Sequence, residues 1–177
     1  MKEKYKYIVL PPDGVQLTLR DRLFDARSYI PEIVEVITRI KKPEDKILIK
    51  YRSKKQLMNY PFVGESKVGY GTLLNYLTEE SIVIGPPIGS ATIECLYNDY
   101  SFYSFLNFKL YQANEWTSAY DDYQKILHIA QTKEELFYNL SNQKIYQAGK
   151  SKDDLIHKDG LSIKEIVSII LKKRDKN

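Results

Sequence analysis

From Phe102 to Tyr111 the chain alternates with the period of a strand. Phe102, Leu106, Phe108 and Leu110 fall on one side, and Tyr103, Phe105, Asn107, Lys109 and Tyr111 on the other. The first side reads as core and the second as a wetter surface that mixes rings with polar tips. The same two-residue period marks Lys4 to Leu10, where Tyr5, Tyr7 and Val9 oppose Lys4, Lys6 and Ile8. It recurs at Lys46 to Arg52, where Ile47, Ile49 and Tyr51 oppose Lys46, Leu48, Lys50 and Arg52. Further strands are expected at Ser81 to Ile84, Ala91 to Tyr97 and Ser101 to Gln112. Gly85-Pro86-Pro87-Ile88-Gly89 makes a rigid turn within this set and Asn98-Asp99 a second one. The middle of the chain therefore reads as an antiparallel meander.

Helical spacing separates these segments. Thr18, with Asp21 three residues on, is placed to cap a helix whose stripe is Leu19, Leu23 and Ala26. Pro31 is suited to open a second helix at its first position, with Ile33, Val34, Ile37 and Ile40 as its apolar face and Pro43 as its stop. A short helix is expected through Leu73, Leu74 and Leu77. Ala119, Tyr123, Ile126, Leu127 and Ala130 form a longer stripe, and Thr132 with Glu135 makes a capping box ahead of Leu136, Phe137 and Leu140. If the first strand, helices and second strand form a crossover, the two strands lie parallel. The helices then cover Tyr5, Tyr7, Val9, Ile47, Ile49 and Tyr51 and leave lysines on the opposite face.

The expected fold class is α+β: a mixed or antiparallel sheet flanked by helices, with a helical C-terminal part. Residues 1–140 make the core domain. Residues 141–177 make a linker and a helical appendage, in which Ser151 with Asp154 and Ser162 with Glu165 each open a helix. A length of 177 residues suits such a domain and allows a real core.

Cys95 is the single cysteine, which rules out an intramolecular disulfide and fits a reducing, cytoplasmic setting. The apolar run that ends at Pro11 is too short for a signal sequence, and no segment approaches the roughly 20 apolar residues of a membrane span. The net charge of +4 is unevenly spread: residues 36–67 carry nine basic and three acidic groups, and residues 68–135 carry three and nine. A basic block beside an acidic one favours a polyanion or a charged protein as partner.

Catalytic motifs are absent or incomplete. Gly64 and Gly69 have the gap of a phosphate loop, but Tyr70 and Gly71 stand where lysine and serine or threonine must follow. Gly69-Tyr70-Gly71 lacks the third glycine of a dinucleotide fingerprint. His128, His157 and Cys95 are too scattered for a zinc site, and Ser90 lacks the glycine framing of a nucleophile elbow. No catalytic residue, metal site or cofactor is therefore expected.

The favoured function is non-enzymatic binding of nucleic acid. Lys4, Lys6, Lys46, Lys50, Arg52, Lys54 and Lys55 would form a basic sheet face, and Tyr103, Phe105 and Tyr111 would add stacking surfaces. One alternative is a protein-interaction or inhibitor module that uses the same tyrosine-rich face. Another is a metal-dependent nuclease built on Glu65 and Lys67. Leu155, Gly160, Leu161, Ile166 and Ile169 give the C-terminal pair of helices a spacing that resembles a helix-turn-helix, but Ile156 and Asp159 depart from that pattern, so a plain helical hairpin or docking tail is the favoured reading.

Overall fold

The computed structural model describes residues 3–12, 26–59, 64, 66–87, 89–107 and 123–154. Six strands, β1 (Tyr7–Val9), β2 (Ile47–Lys50), β3 (Lys67–Gly69), β4 (Ile82–Gly85), β5 (Ser101–Phe105) and β6 (Ile129–Ala130), form one sheet in the order β3-β2-β1-β4-β5-β6. Every neighbouring pair is parallel. The helices are α1 (Ala26–Ile40), α2 (Lys54–Asn59), α3 (Ser90–Tyr97) and α4 (Lys133–Ser141), with 3-10 turns at Leu73–Asn75 and Lys152–Asp154. The expected α+β class with a mixed or antiparallel sheet is thus corrected to an α/β fold. Its strand order, with β1 and β4 at the centre and the later strands added outward on either side, is that of a doubly wound sheet.

The correction comes from one segment. Ala91 to Tyr97, expected as a strand, is most of α3. Its buried residues Thr92, Cys95 and Leu96 are spaced i, i+3, i+4, the period of a helix face. With a helix between β4 and β5, the chain returns to the same edge of the sheet before each strand, so a hairpin becomes a parallel crossover. The parallel pairing expected for β1 and β2 is observed, with Tyr7, Ile8 and Val9 opposite Ile47, Leu48 and Ile49.

Parallel strands are covered on both faces, and two apolar clusters record this. One joins Tyr7, Val9, Ile47, Ile49, Tyr51 and Ile84 to the buried stripe of α1 (Tyr29, Ile33, Val36, Ile37) and to Leu136 and Leu140 of α4. The other joins Ile8, Leu10, Leu48, Val83 and Phe102 to Leu73 and to Cys95 and Leu96 of α3. The face expected to show lysines is therefore a second core, and Tyr5 packs into it rather than beside Tyr7. The wet side expected for β5 is likewise closed: Tyr103 and Phe105 are buried in the α1 cluster, where the Tyr29 hydroxyl donates to the Phe105 carbonyl at 3.0 Å.

Pro31 lies within the 15 residues of α1 instead of opening it. It sits on the exposed side in the second turn, away from the buried stripe. The Thr132 capping box forms as expected: Thr132 Oγ1 accepts from the Glu135 N–H at 3.2 Å. Beyond it, Ile145 and Tyr146 pack against the sheet's second cluster, and Lys152 forms an ion pair with Asp99. The helix expected from Thr18, Tyr111, and the pair of helices around Gly160 lie outside the described residues.

Two close packing points test this arrangement. A Cβ on Gly69 would sit 2.9 Å from Tyr76 Cζ and 3.1 Å from Leu48 Cδ1. The Tyr76 hydroxyl there accepts from the Tyr70 N–H and donates to the Tyr70 carbonyl. Gly69→Ala is expected to displace that ring and cost about 1–3 kcal/mol in a denaturant titration. Cys95 is buried, and burial pushes its thiol up to about 12. In native protein at pH 8 it should resist iodoacetamide, reacting only on unfolding; rapid native alkylation would place α3 differently.

Candidate ligand crevice

In a parallel sheet every strand ends on the same edge, and the loops leaving those ends decide whether a hollow forms. Here the chain leaves β1 for α1 on one face, whereas it leaves β4 for α3 on the other. The loops part between adjacent strands, and a crevice opens at the carboxyl edge. Its volume is about 310 Å³. Both central strands run into the same four-residue pattern, Pro11-Pro12-Asp13-Gly14 after β1 and Pro86-Pro87-Ile88-Gly89 after β4. The prolines stiffen each wall at the point of divergence.

The β1 wall is held tightly. The Leu10 N–H donates to the Ile84 carbonyl at 2.8 Å, continuing the ladder past the strand end. Gly85, on the neighbouring strand, leaves room for Leu10, since a Cβ there would lie 3.0 Å from Leu10 Cβ. The β4 wall leads into α3, whose entry residue Gly89 has no side chain to cap the helix. Thr92 Oγ1 donates instead to the Pro86 carbonyl at 3.0 Å, pinning the loop to the first turn. The start of α3, with Ser90, Ala91 and Thr92, therefore faces the crevice with the positive end of its dipole.

Charge comes from β2. Lys50 shares its side of the strand with Leu48, so it points toward the α3 layer. It is half-buried, and its ammonium makes no hydrogen bond or ion pair among the described residues. Burial lowers its pKa below the usual 10.5, and Arg52 lowers it further, while Glu94 on α3 acts the other way. Arg52 and Glu94 line the same crevice, as do Gly71 and Thr72 following β3. The crevice thus combines a costly cation, a helix N-terminus, hydroxyls and one carboxylate.

The expected basic set divides between the two edges of the sheet. Lys4, Lys6 and Lys46 precede β1 and β2 and lie at the amino edge. Two of them are engaged there: Lys46 pairs with Glu3 at 2.8 Å, and Lys6 Nζ donates to the Glu80 carbonyl at 2.9 Å. A broader hollow of about 600 Å³ at that edge is lined largely by apolar surface around Tyr76 and Leu77, with the Lys46–Glu3 pair and the exposed Lys4 and Glu44 beside it. Lys50 and Arg52 are at the carboxyl edge, and Lys54 and Lys55 are exposed on α2. Lys67 opens the edge strand β3, while Glu65 lies outside the described residues. No group of three or more histidine, cysteine, aspartate or glutamate side chains among the described residues is placed to hold a metal ion.

Sequence reasoning passed over Glu94, Gln56, Thr72 and Ser90 as parts of one site, because only the strand order brings them together. The one local signal was Ser53-Lys54-Lys55-Gln56, which has the spacing of a capping box. No family profile, curated protein or solved structure matches the chain.

A half-buried unpaired cation destabilises the fold that carries it. Lys50→Met, which keeps the stem and removes the charge, is expected to raise the melting temperature by a few degrees, on the order of 1 kcal/mol. A fall in melting temperature would mean that the ammonium is already satisfied in the empty protein.

Proposed function

We propose that this chain is a ligand-binding α/β domain that takes a nucleoside phosphate, with the phosphates against Lys50 and the first turn of α3. The observation that carries the proposal is Lys50 itself, a half-buried cation with no partner among the described residues, beside the point where β1 and β4 send their chains to opposite faces. An anion would pair with this half-buried ammonium, and a hydrogen bond to a charged group contributes roughly 1.5–3 kcal/mol. Glu94 argues for more than a bare anion. Its carboxylate would repel phosphate, yet it is a strong acceptor for sugar hydroxyls, so a ligand with an anionic end and a hydroxyl-bearing end satisfies both walls. The volume, about 310 Å³, is at the small-molecule end of the range for binding pockets.

Nucleic acid and protein partners find less support. The seven basic residues are divided between the two edges of the sheet and α2, and Tyr103 and Phe105 are buried, so neither a continuous phosphate track nor a stacking surface is offered by them.

Calorimetric titration with UDP, ADP, GDP, CDP and inorganic pyrophosphate tests the proposal. At least one nucleotide should bind roughly tenfold or more tightly than pyrophosphate, and Glu94→Gln should narrow that gap. Lys50→Met should weaken nucleotide and pyrophosphate alike. Because the anion binds the ammonium form, affinity should fall as the pH rises, and the fall should begin below the ordinary lysine value of 10.5. Lys50→Met should abolish that pH dependence. Absence of binding by all five at millimolar concentration would overturn the proposal.

A further inference from the structure

Gln56 is only 8% exposed, yet it is an amide at the rim of a polar crevice. It lies in the first turn of α2, and Ser53 Oγ accepts its backbone N–H at 3.3 Å, so Ser53 and Gln56 occupy the two ends of a capping box. Its side chain completes the box one residue early, Oε1 accepting from the Arg52 N–H at 2.6 Å. A glutamate would do that equally well. Only an amide also donates, and Nε2 donates to the carbonyls of Pro12 at 2.9 Å and Pro11 at 3.3 Å. These belong to the loop after β1, more than 40 residues away in sequence.

We infer that Gln56 is the positioning residue of the crevice: it latches the β1 loop to the turn after β2 and so sets the spacing of two walls that the ligand must touch. Neither proline has an N–H with which to extend the ladder, so strand pairing stops here, and the two carbonyls accept from the Gln56 amide instead. The same side chain holds the Arg52 backbone, and with it the direction in which Arg52 and Lys50 leave β2. Hydrogen bonds on both sides of one buried amide couple the position of the loop to that of the cations. The inference rests on the proposed nucleotide site, since its consequence is read as ligand affinity.

Two substitutions separate a latch from a cap. Gln56→Glu keeps the acceptor for Arg52 and removes the donor, setting a carboxylate oxygen against two carbonyl oxygens. Ser53→Ala removes the cap and leaves the latch. Both should lower the melting temperature. Only Gln56→Glu should weaken binding of UDP, ADP, GDP or CDP, by about tenfold, and only Gln56→Glu should speed hydrogen exchange at the Leu10 amide, which is bonded where the β1 loop begins. Wild-type protein that binds none of the four nucleotides would overturn the proposed function. Wild-type binding that Gln56→Glu leaves intact, or that Ser53→Ala weakens as much, would overturn the latch alone.

Discussion

A parallel sheet cannot put its strand ends anywhere but on one edge, and this constraint shapes everything else in the molecule. Each return to the amino edge needs a crossing segment, and each crossing segment must choose a face. Here α1, α2 and α4 pack on one face, and the Leu73–Asn75 turn and α3 pack on the other. The choice changes sides between β1 and β4, the two central strands. The crevice is the geometric result of that change, and it would exist at this place whatever side chains lined it. What the sequence adds is chemistry at a position that topology had already opened.

That chemistry runs against stability. Lys50 could have faced solvent at the edge of the sheet, as Lys54 and Lys55 do on α2. Instead it stands on the α3 side of β2, where burial disfavours its charged form. Glu94 compensates in part from across the crevice without closing into a bonded pair. Cations held in this state are stabilised when an anion arrives, and such sites cluster where proteins bind or react. At the amino edge, by contrast, Lys46 and Glu3 are already matched, and Lys4 and Glu44, which also line the hollow there, are exposed to solvent. The difference between the two edges lies in how far the charges are withdrawn from water, Lys50 being half-buried and the amino-edge Lys4, Glu44 and Lys46 exposed.

Much of the fold was legible locally. The strands at Tyr7–Val9, Ile47–Lys50, Ile82–Gly85 and Ser101–Phe105 announce themselves through apolar runs, and Thr132 with Glu135 marks the start of α4. The sheet type was not legible, because it turned on α3. Thr92, Ile93 and Cys95 have side chains common in strands, and a segment of eight residues is short enough to fit either period. The i, i+3, i+4 spacing of Thr92, Cys95 and Leu96 carried the answer. Reading β5 as half-wet failed for a related reason, since strands of a parallel sheet are buried on both faces and alternation loses its meaning there. The crevice was less legible still. Pro11, Lys50, Gln56, Thr72, Ser90 and Glu94 come from five separate segments, and no spacing along the chain announces residues that only strand order brings together.

The central claim is that anionic ligand enters at the carboxyl edge between β1 and β4. The most direct measurement is amide chemical-shift mapping of isotope-labelled protein titrated with ADP and UDP. The account predicts that the shifting amides concentrate at Lys50, Arg52, Thr72 and Ser90 through Glu94, with the amino-edge residues Lys4, Lys6 and Lys46 unmoved. Shifts centred on those three lysines, or on the hollow beside Tyr76, would contradict it.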